Sequence, residues 1–214
     1  MRKDFSLYVI TDRNVQKKTN LEVVEEAIAG GASVIQLREK TLSTREFFEE
    51  ALLLRRYTKR YGVLFIVNDR IDIALASGAD GVHLGPEDLP LSYARRIAPH
   101  LVIGYSCSTK EEAQEAERLG ADYLGVGAVF PTMTKRDAGP PIGLERLREI
   151  VSSVTIPVVA IGGITPENVE AVLATGVAGV AVVSAIVGAP SVRGATALFR
   201  EKIDAFLRRS RGTS

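Results

Sequence analysis

The feature that most limits the fold is a series of eight short runs rich in valine and isoleucine, spread evenly along the chain. Most of these runs are apolar at successive positions, so both faces are buried, as is typical of strands in a parallel sheet. The runs are Leu7–Thr11, Val34–Leu37, Val63–Val67, Gly81–Leu84, Leu101–Tyr105, Tyr123–Phe130, Pro157–Ile161 and Gly179–Ile186.

Helical patterns separate these runs, and several of the predicted helices end in a similar junction with the next run. The segments Ala29–Ser33, Ala76–Asp80 and Arg118–Asp122 each carry a Gly-Ala step, and Ala174–Ala178 is a looser fourth copy. Strictly alternating strands and helices with short connections predict right-handed crossovers and a parallel sheet. Eight repeats in 214 residues predict an α/β fold of the (β/α)8 TIM barrel type, with residues 1–214 as one domain. An open doubly wound sheet is the alternative.

Charge and composition exclude several classes of function. Lysine plus arginine number 27 against 26 acidic residues, a net charge of +1, so no overall field attracts nucleic acid or an anionic membrane. The single cysteine, Cys107, excludes a disulfide framework within the chain. No window of about 18 apolar residues is present, and the first apolar run is too short for a signal sequence. We therefore expect a cytoplasmic protein with small-molecule substrates, and a homo-oligomer is compatible with the sequence.

The second predicted strand ends in a charged segment, Gln36-Leu37-Arg38-Glu39-Lys40. Because side chains alternate along a strand, the residues at 36, 38 and 40 share one face, and Leu37 and Glu39 share the other. In a closed barrel one face of every strand points into the barrel, so two cations and an amide converge there. This arrangement suits a diphosphate beside Mg²⁺.

Two aspartates follow neighbouring predicted strands, Asp69 after the third and Asp88 after the fourth. Carboxylates at one rim, near cations, suit Mg²⁺, which usually takes one or two of them together with substrate phosphate oxygens. The alternative is that both aspartates cap helices. Spacing alone does not decide between Asp88 and Glu87 as the second ligand.

The last two predicted strands are followed by small residues. Gly162 and Gly163 come after the seventh strand and precede a predicted helix, and Ser184 follows the eighth. In barrels of this type these loops commonly form a phosphate site. The polar segment from Thr132 to Pro141 is predicted to be a mobile lid that carries functional hydroxyls and a lysine. His83 and His100 are interpreted as structural, and Cys107 as a buried, inert thiol.

Taken together, these segments resemble the thiamine phosphate synthase family over nearly the whole chain, from Leu7 to about Ala189. The resemblance rests on many short matches in the same order. They are Tyr8–Asp12, Gln36–Lys40, Val67–Asp69, Gly81–Asp88, Gly104–Ser106, Gly127–Lys135, Ala160–Ile164 and Val182–Ile186.

The resemblance implies an enzyme that joins 4-amino-2-methyl-5-hydroxymethylpyrimidine diphosphate to a thiazole phosphate, giving thiamine monophosphate and diphosphate with Mg²⁺ as cofactor. It implies Asp69 and Asp88 as the Mg²⁺ ligands, and Arg38, Lys40, Ser106 and Lys135 as catalytic residues. The implied substrate-binding residues are Gln36, Leu37, Arg38, Glu39, Lys40, Asn68, Ser106, Thr132, Met133, Thr134, Lys135, Gly163, Val183 and Ser184.

Two alternatives share the predicted barrel. A thiazole tautomerase of the same superfamily resembles this chain, but that group has a histidine where Ser108 stands here and lacks the full metal and diphosphate set. A non-catalytic phosphate-binding barrel would not require Arg38, Asp69 and Lys135 together. Mg²⁺-dependent diphosphate binding would distinguish the synthase from both.

Overall fold

The computed structural model describes residues 3–132, 134 and 139–211, and in it eight parallel strands close into a barrel in chain order. β1 pairs with β2 and also with β8, so the sheet has no free edge and the open doubly wound alternative is excluded. The strands are β1 Leu7–Ile10, β2 Val34–Leu37, β3 Leu64–Asn68, β4 Gly81–Leu84, β5 Val102–Cys107, β6 Tyr123–Val126, β7 Val158–Ile161 and β8 Gly179–Val182. The predicted TIM barrel is confirmed.

Helices follow the strands around the outside of the barrel. Three of them begin with a capping box, in which Thr19, Ser43 or Thr109 accepts the N–H of a glutamate three residues later and the glutamate bonds back. The helices are α1 Asn20–Ala29, α2 Thr44–Tyr61, α3 Ile71–Ser77, α4 Leu91–Ile97, α5 Lys110–Arg118, α6 Gly143–Val151, α7 Val169–Leu173, α8 Ser184–Val187 and α9 Val192–Arg211. Within the described residues, no helix is both long enough and apolar enough to cross a membrane.

The repeated Gly-Ala junction corresponds to a repeated structural unit of two strands. Just before every second strand, a backbone N–H donates to a backbone carbonyl oxygen near the start of the preceding strand. The pairs, donor first, are Ser33 with Leu7, Asp80 with Phe65, Asp122 with Ile103 and Ala178 with Val158. Asp80 and Asp122 also bind Arg55 and Arg95, at 2.7 and 2.6 Å. These contacts stabilise the end of the barrel opposite the predicted site.

The core has two parts. One lies between the strands and the surrounding helices, and a smaller one fills the lower part of the barrel interior. The inner residues are Phe5, Tyr8, Ile10, Val34, Ile66, Val102, Tyr123, Val159 and Ala181. Because this inner layer closes the bottom of the barrel, open space remains only toward the carboxyl ends of the strands.

Two strands end four residues earlier than predicted. β6 stops at Val126 rather than Phe130, and β8 stops at Val182 rather than Ile186. At Gly127 the backbone passes so close to β7 that an added Cβ would lie 2.0 Å from the Ile161 carbonyl oxygen, and the regular ladder is interrupted. The apolar runs continue beyond both strand ends because their residues remain buried, and a short apolar run does not distinguish a strand from a buried turn.

Candidate active site

A cavity of about 670 Å³ opens at the carboxyl ends of the strands. Most of the residues that the sequence predicts for the site line this one cavity. They are Gln36, Arg38, Lys40, Asn68, Asp69, Asp88, Ser106, Thr132, Thr134, Gly163, Val183 and Ser184. Met133 and Lys135, which were also predicted, lie outside the described residues. The structure thus brings together side chains that are up to 148 residues apart in the sequence.

The end of β2 presents alternate side chains to opposite sides, as predicted. Gln36, Arg38 and Lys40 face the cavity, whereas Leu37 is fully buried in the outer core. The Glu39 carboxylate also points away from the cavity, and its Oε1 accepts hydrogen bonds from Arg13 Nε at 2.6 Å and Asn20 Nδ2 at 2.5 Å. The pleat therefore directs the side chains of Leu37 and Glu39 away from the cavity lining, and the assignment of both as substrate contacts remains a prediction.

Each of the two inward cations already has an acidic partner. Arg38 Nη1 lies 2.6 Å from Asp12 Oδ2, and Lys40 Nζ lies 2.5 Å from Asp69 Oδ2. Asp12 is almost completely buried, with 2% of the residue exposed. The sequence analysis includes Asp12 in a family match but gives it no role, since an acid after a strand does not reveal which base it will meet across the barrel.

Neither Asp69 nor Asp88 caps a helix. The N-cap residues that precede α3 and α4 are Arg70 and Pro90, and neither helix has a side-chain hydrogen bond capping its N-terminus. Asp88 Oδ2 instead accepts the Gly85 N–H at 2.7 Å. Burial raises the pKa of the Asp88 carboxyl, and the nearby negative charge of Asp69 raises it further, against the opposing effects of the Gly85 N–H and Lys40.

Asp69 has a backbone φ of +62° and is the only non-glycine residue with a left-handed backbone in the part of the chain that the structure describes. Such a conformation costs about 1 kcal/mol and is best tolerated by asparagine and aspartate. Unfavourable backbone conformations of this kind concentrate at functional sites. The strained backbone and the adjacent Asp88 both indicate that the Asp69 carboxylate is held in position for a purpose other than helix capping.

The charged residues of the described lining carry a surplus of negative charge. Two cations, Arg38 and Lys40, stand against five carboxylates, which is a formal surplus of three negative charges. The acids are Asp12, Asp69, Glu87, Asp88 and Glu112. No cluster of three or more His, Cys, Asp or Glu side chains suited to a metal occurs among the described residues. A pair of neighbouring carboxylates with open space beside it fits Mg²⁺, which completes its coordination with water and substrate oxygens.

The loops after β7 and β8 form the opposite side of the cavity. Gly162 and Gly163 have φ of +100° and +65°, and a Cβ on Gly163 would lie 2.6 Å from the Pro131 carbonyl oxygen. The sequence predicted a helix immediately after these glycines, but the chain first forms a turn in which Asn168 binds Thr165 N and Gly163 O, both at 2.9 Å. The result is a close approach of this turn to the loop after β6, and both glycines line the cavity together with Ser184.

A buried polar network forms the floor of the cavity, and sequence reasoning missed it. Tyr8 and Tyr123 are fully buried yet line the cavity, and His83, interpreted from the sequence as structural, bridges Tyr123 and Ser106 with ring nitrogen distances of 2.9 Å to each. Cys107 also lines the cavity, and burial raises the pKa of its thiol to about 12, in agreement with an inert thiol. His100 is exposed and remote from the lining.

Comparison with known proteins gives concordant matches. Residues 7–186 match the family model described as thiamine monophosphate synthase. The thiamine-phosphate synthase of Pyrococcus furiosus is 55% identical over 207 residues, covering 97% of this chain and 99% of the relative. That of Clostridium novyi is 51% identical and covers 90% and 96%, respectively.

Solved structures agree with these matches. Thiamine phosphate pyrophosphorylase from P. furiosus superposes with a TM-score of 0.91 at 54% identity, covering 96% of this chain and 98% of that one. A 3-hexulose-6-phosphate synthase superposes with a TM-score of 0.70 at 19% identity and covers 92% and 99%. At that identity the second similarity reflects the barrel fold alone.

Proposed function

The chain belongs to the thiamine monophosphate synthase family, and from that premise we propose how its cavity performs the coupling. The enzyme joins 4-amino-2-methyl-5-hydroxymethylpyrimidine diphosphate to a thiazole phosphate, releasing diphosphate and thiamine monophosphate. One observation carries this proposal: Arg38, Lys40, Asp69 and Asp88 converge on a single cavity at the carboxyl rim of the barrel.

We assign the pyrimidine diphosphate to the side of the cavity formed by β2 to β5. Gln36, Asn68 and Ser106 offer uncharged polar groups to the heterocycle. Arg38 and Lys40 offer positive charge to the diphosphate, Arg38 as a planar fork and Lys40 as a point charge. Lys135 joins them by its position in the family motif.

Asp69 and Asp88 would hold Mg²⁺. When bound, the ion supplies positive charge that stabilises the oxygens of the departing diphosphate. The surplus of negative charge in the described lining supports this role, because a diphosphate entering the metal-free cavity would meet five carboxylates and two cations among the described residues, with Lys135 as a third cation by its motif position. The ion pairs of Arg38 with Asp12 and Lys40 with Asp69 must loosen as the diphosphate takes over their cations.

The thiazole phosphate occupies the opposite side, formed by Thr132, Thr134, Gly163, Val183 and Ser184. Met133 joins them by its position in the family motif. The threonine and serine hydroxyls provide donors, and the left-handed glycines permit close approach of the backbone to an anion. Two anionic groups are thereby kept on separate loops, while the reacting carbon and the thiazole nitrogen lie between them. This positioning lowers the entropic cost of a two-substrate reaction.

The proposed reaction is a dissociative displacement in which the C–O bond to diphosphate breaks before the thiazole nitrogen forms the new C–N bond. Negative charge develops on the departing oxygens, and Arg38 and Lys40 stabilise it. The thiazole nitrogen attacks with its own lone pair, so the coupling step requires no general base. This agrees with the position of His83, whose ring nitrogens are both directed to protein hydroxyls.

The direct test is to mix both substrates with the protein and Mg²⁺ and to detect thiamine monophosphate by mass. Formation of the product that stops when the metal is chelated supports the proposal. Binding of both substrates without product would indicate a non-catalytic phosphate-binding barrel instead, and conversion of the thiazole alone would indicate a tautomerase.

A further inference from the structure

A continuous hydrogen-bonded chain crosses the cavity floor and connects two of the proposed substrate contacts. It runs from Gln36 through Tyr8, Tyr123 and His83 to Ser106, and we call these five residues the floor chain. Gln36 Nε2 lies 2.6 Å from the Tyr8 hydroxyl, which lies 2.8 Å from the Tyr123 hydroxyl. The Tyr123 hydroxyl lies 2.9 Å from His83 Nδ1, and His83 Nε2 lies 2.9 Å from Ser106 Oγ.

The direction of every bond follows from the first one, because each phenol has a single proton. Gln36 Nε2 donates to the Tyr8 oxygen, so the Tyr8 proton is available for Tyr123. Tyr123 then accepts from Tyr8 and donates its own proton to His83 Nδ1. The imidazole must carry its proton on Nε2 and donate to Ser106 Oγ. Any other arrangement leaves a buried phenol proton without an acceptor, which is costly in a dry interior.

The burial of both tyrosine hydroxyls supports this assignment of the protons. Desolvation raises the pKa of both Tyr8 and Tyr123 far above the ordinary tyrosine value, so both are neutral donors. The barrel also makes room for the floor chain with glycines inside strands. A Cβ on Gly104 would lie 2.2 Å from the Tyr123 ring, and one on Gly125 would lie 2.9 Å from His83 Cε1. A glycine inside a strand weakens it and often marks a close approach, here by the rings of the floor chain.

We propose that the floor chain sets the hydrogen-bonding pattern that the cavity offers to its heterocyclic substrate. With its nitrogen directed to Tyr8, Gln36 offers its carbonyl oxygen to the cavity as an acceptor. Ser106, which accepts from His83, offers its hydroxyl proton as a donor. The ligand that matches is a ring that presents a donor, such as an amino group, to Gln36 and an unprotonated ring nitrogen to Ser106. Tyr8, Tyr123 and His83 are positioning residues in this scheme, which rests on the proposed function.

The proposal has a consequence for specificity. In a 4-oxo pyrimidine, a carbonyl replaces the amino group and the adjacent ring nitrogen gains a proton, so donor and acceptor exchange places. The 4-oxo group would then face the Gln36 carbonyl oxygen, a second acceptor, and Ser106 would have to turn its proton away to accept from the protonated ring nitrogen. Sites built to hydrogen-bond a substrate reject mismatched analogues strongly, and we expect the 4-amino diphosphate to be preferred at least ~10³-fold in kcat/KM.

The first test is spectroscopic and uses the wild-type protein without ligands. The chain contains two histidines, so ¹⁵N-labelled imidazoles give two sets of signals, and a His100→Gln variant assigns them. We expect His83 to show an unprotonated Nδ1 and a protonated Nε2. The opposite tautomer would mean that the floor chain runs the other way, with Ser106 donating its hydroxyl proton to His83 Nε2, and would overturn the proposal. This measurement does not depend on the catalysed reaction, so it remains informative if the proposed function fails.

The second test removes single hydroxyl groups. In Tyr123→Phe we expect kcat/KM for the 4-amino diphosphate to fall about 10- to 100-fold, the 4-amino over 4-oxo preference to fall at least tenfold, and KM for the thiazole phosphate to stay within about twofold. Tyr8→Phe should have the same effects. The double variant should lose little more kcat/KM and 4-amino preference than either single variant, because removing one hydroxyl already interrupts the floor chain. Tyr93→Phe, with Tyr93 56% exposed on α4, is the control. Unchanged discrimination, or losses that simply add, would refute the proposal.

Discussion

Replacement of Asp69 by asparagine should change diphosphate binding in opposite directions with and without Mg²⁺. Asparagine keeps the shape of the side chain and tolerates the left-handed backbone at this position, φ +62°. It removes one negative charge from the cavity and frees Lys40 from its ion pair. Asp69→Ala should also lose turnover, by at least ~10²-fold, but it would add about 1 kcal/mol of backbone strain and confuse the two effects.

The size of the metal-free effect follows from the exposure of the pair. Two unit charges about 4 Å apart interact by roughly 1 kcal/mol in water and by about 4 kcal/mol at an effective dielectric constant of 20. The Lys40 side chain is 51% exposed and that of Asp69 24%, so screening favours the lower figure. Without Mg²⁺, Asp69→Asn should therefore bind inorganic diphosphate about fivefold more tightly, since about 1.4 kcal/mol corresponds to tenfold. With Mg²⁺ the variant lacks one of two proposed ligands, and turnover should fall at least ~10²-fold.

Titration calorimetry with inorganic diphosphate, in EDTA and in excess Mg²⁺, measures both arms directly. Asp72→Asn is the matched control, because Asp72 lies on α3, is 59% exposed, binds Arg70 and does not line the cavity. It should change neither arm by more than about twofold. If Asp69→Asn weakens diphosphate binding equally in both conditions, the carboxylate acts through local structure and the reasoning from charge is wrong.

Other substitutions test the remaining assignments. Lys135→Ala should raise KM for the pyrimidine diphosphate about tenfold or more and leave that for the thiazole phosphate unchanged, as steady-state kinetics would reveal. Gly163→Ala should do the reverse, because its Cβ would lie 2.6 Å from a backbone oxygen at a φ of +65°. Glu39→Leu removes the acceptor of the buried Asn20 amide and leaves Arg13 paired with Glu50 alone, and it should lower the free energy of unfolding in urea by about 2 kcal/mol. Burial raises the pKa of the Cys107 thiol to about 12. Native protein at pH 8 should therefore react with iodoacetamide about 10³-fold more slowly than unfolded protein, and raising the pH should reduce this difference in rate.

The sequence was sufficient to predict the barrel and much of the cavity lining, for a physical reason. Both depend on periodicity: the alternation of strands and helices defines the topology, and the two-residue repeat of β2 identifies which side chains point inward. The same repeat directs the side chains of Leu37 and Glu39 outward, and their inclusion among the substrate contacts came from the family motif. Strand ends were less predictable, because residues beyond Val126 and Val182 stay buried after the ladder stops.

The floor chain could not be predicted, because apolar periodicity reports that a residue is buried and not what its polar atom touches. Tyr8 and Tyr123 stand in runs that are otherwise apolar, and their hydroxyls meet across 115 residues of sequence. His83 likewise occupies a strand position that suits a core histidine. A buried tyrosine hydroxyl needs a partner, so two tyrosines in inward positions of neighbouring barrel layers are a signal that could direct attention to such a network.

The acidic partners of the two cations explain why the cavity would depend on a metal under the proposed function. A site with Arg38 and Lys40 alone would hold any phosphate, including the diphosphate product. Pairing them with Asp12 and Asp69 offsets that general affinity, and the additional carboxylates make the described part of the lining unfavourable for anions. A divalent cation held by Asp69 and Asp88 would reverse that balance only while it is bound. Affinity for the diphosphate would then be conditional on Mg²⁺, so loss of the ion would also weaken the hold on the diphosphate product.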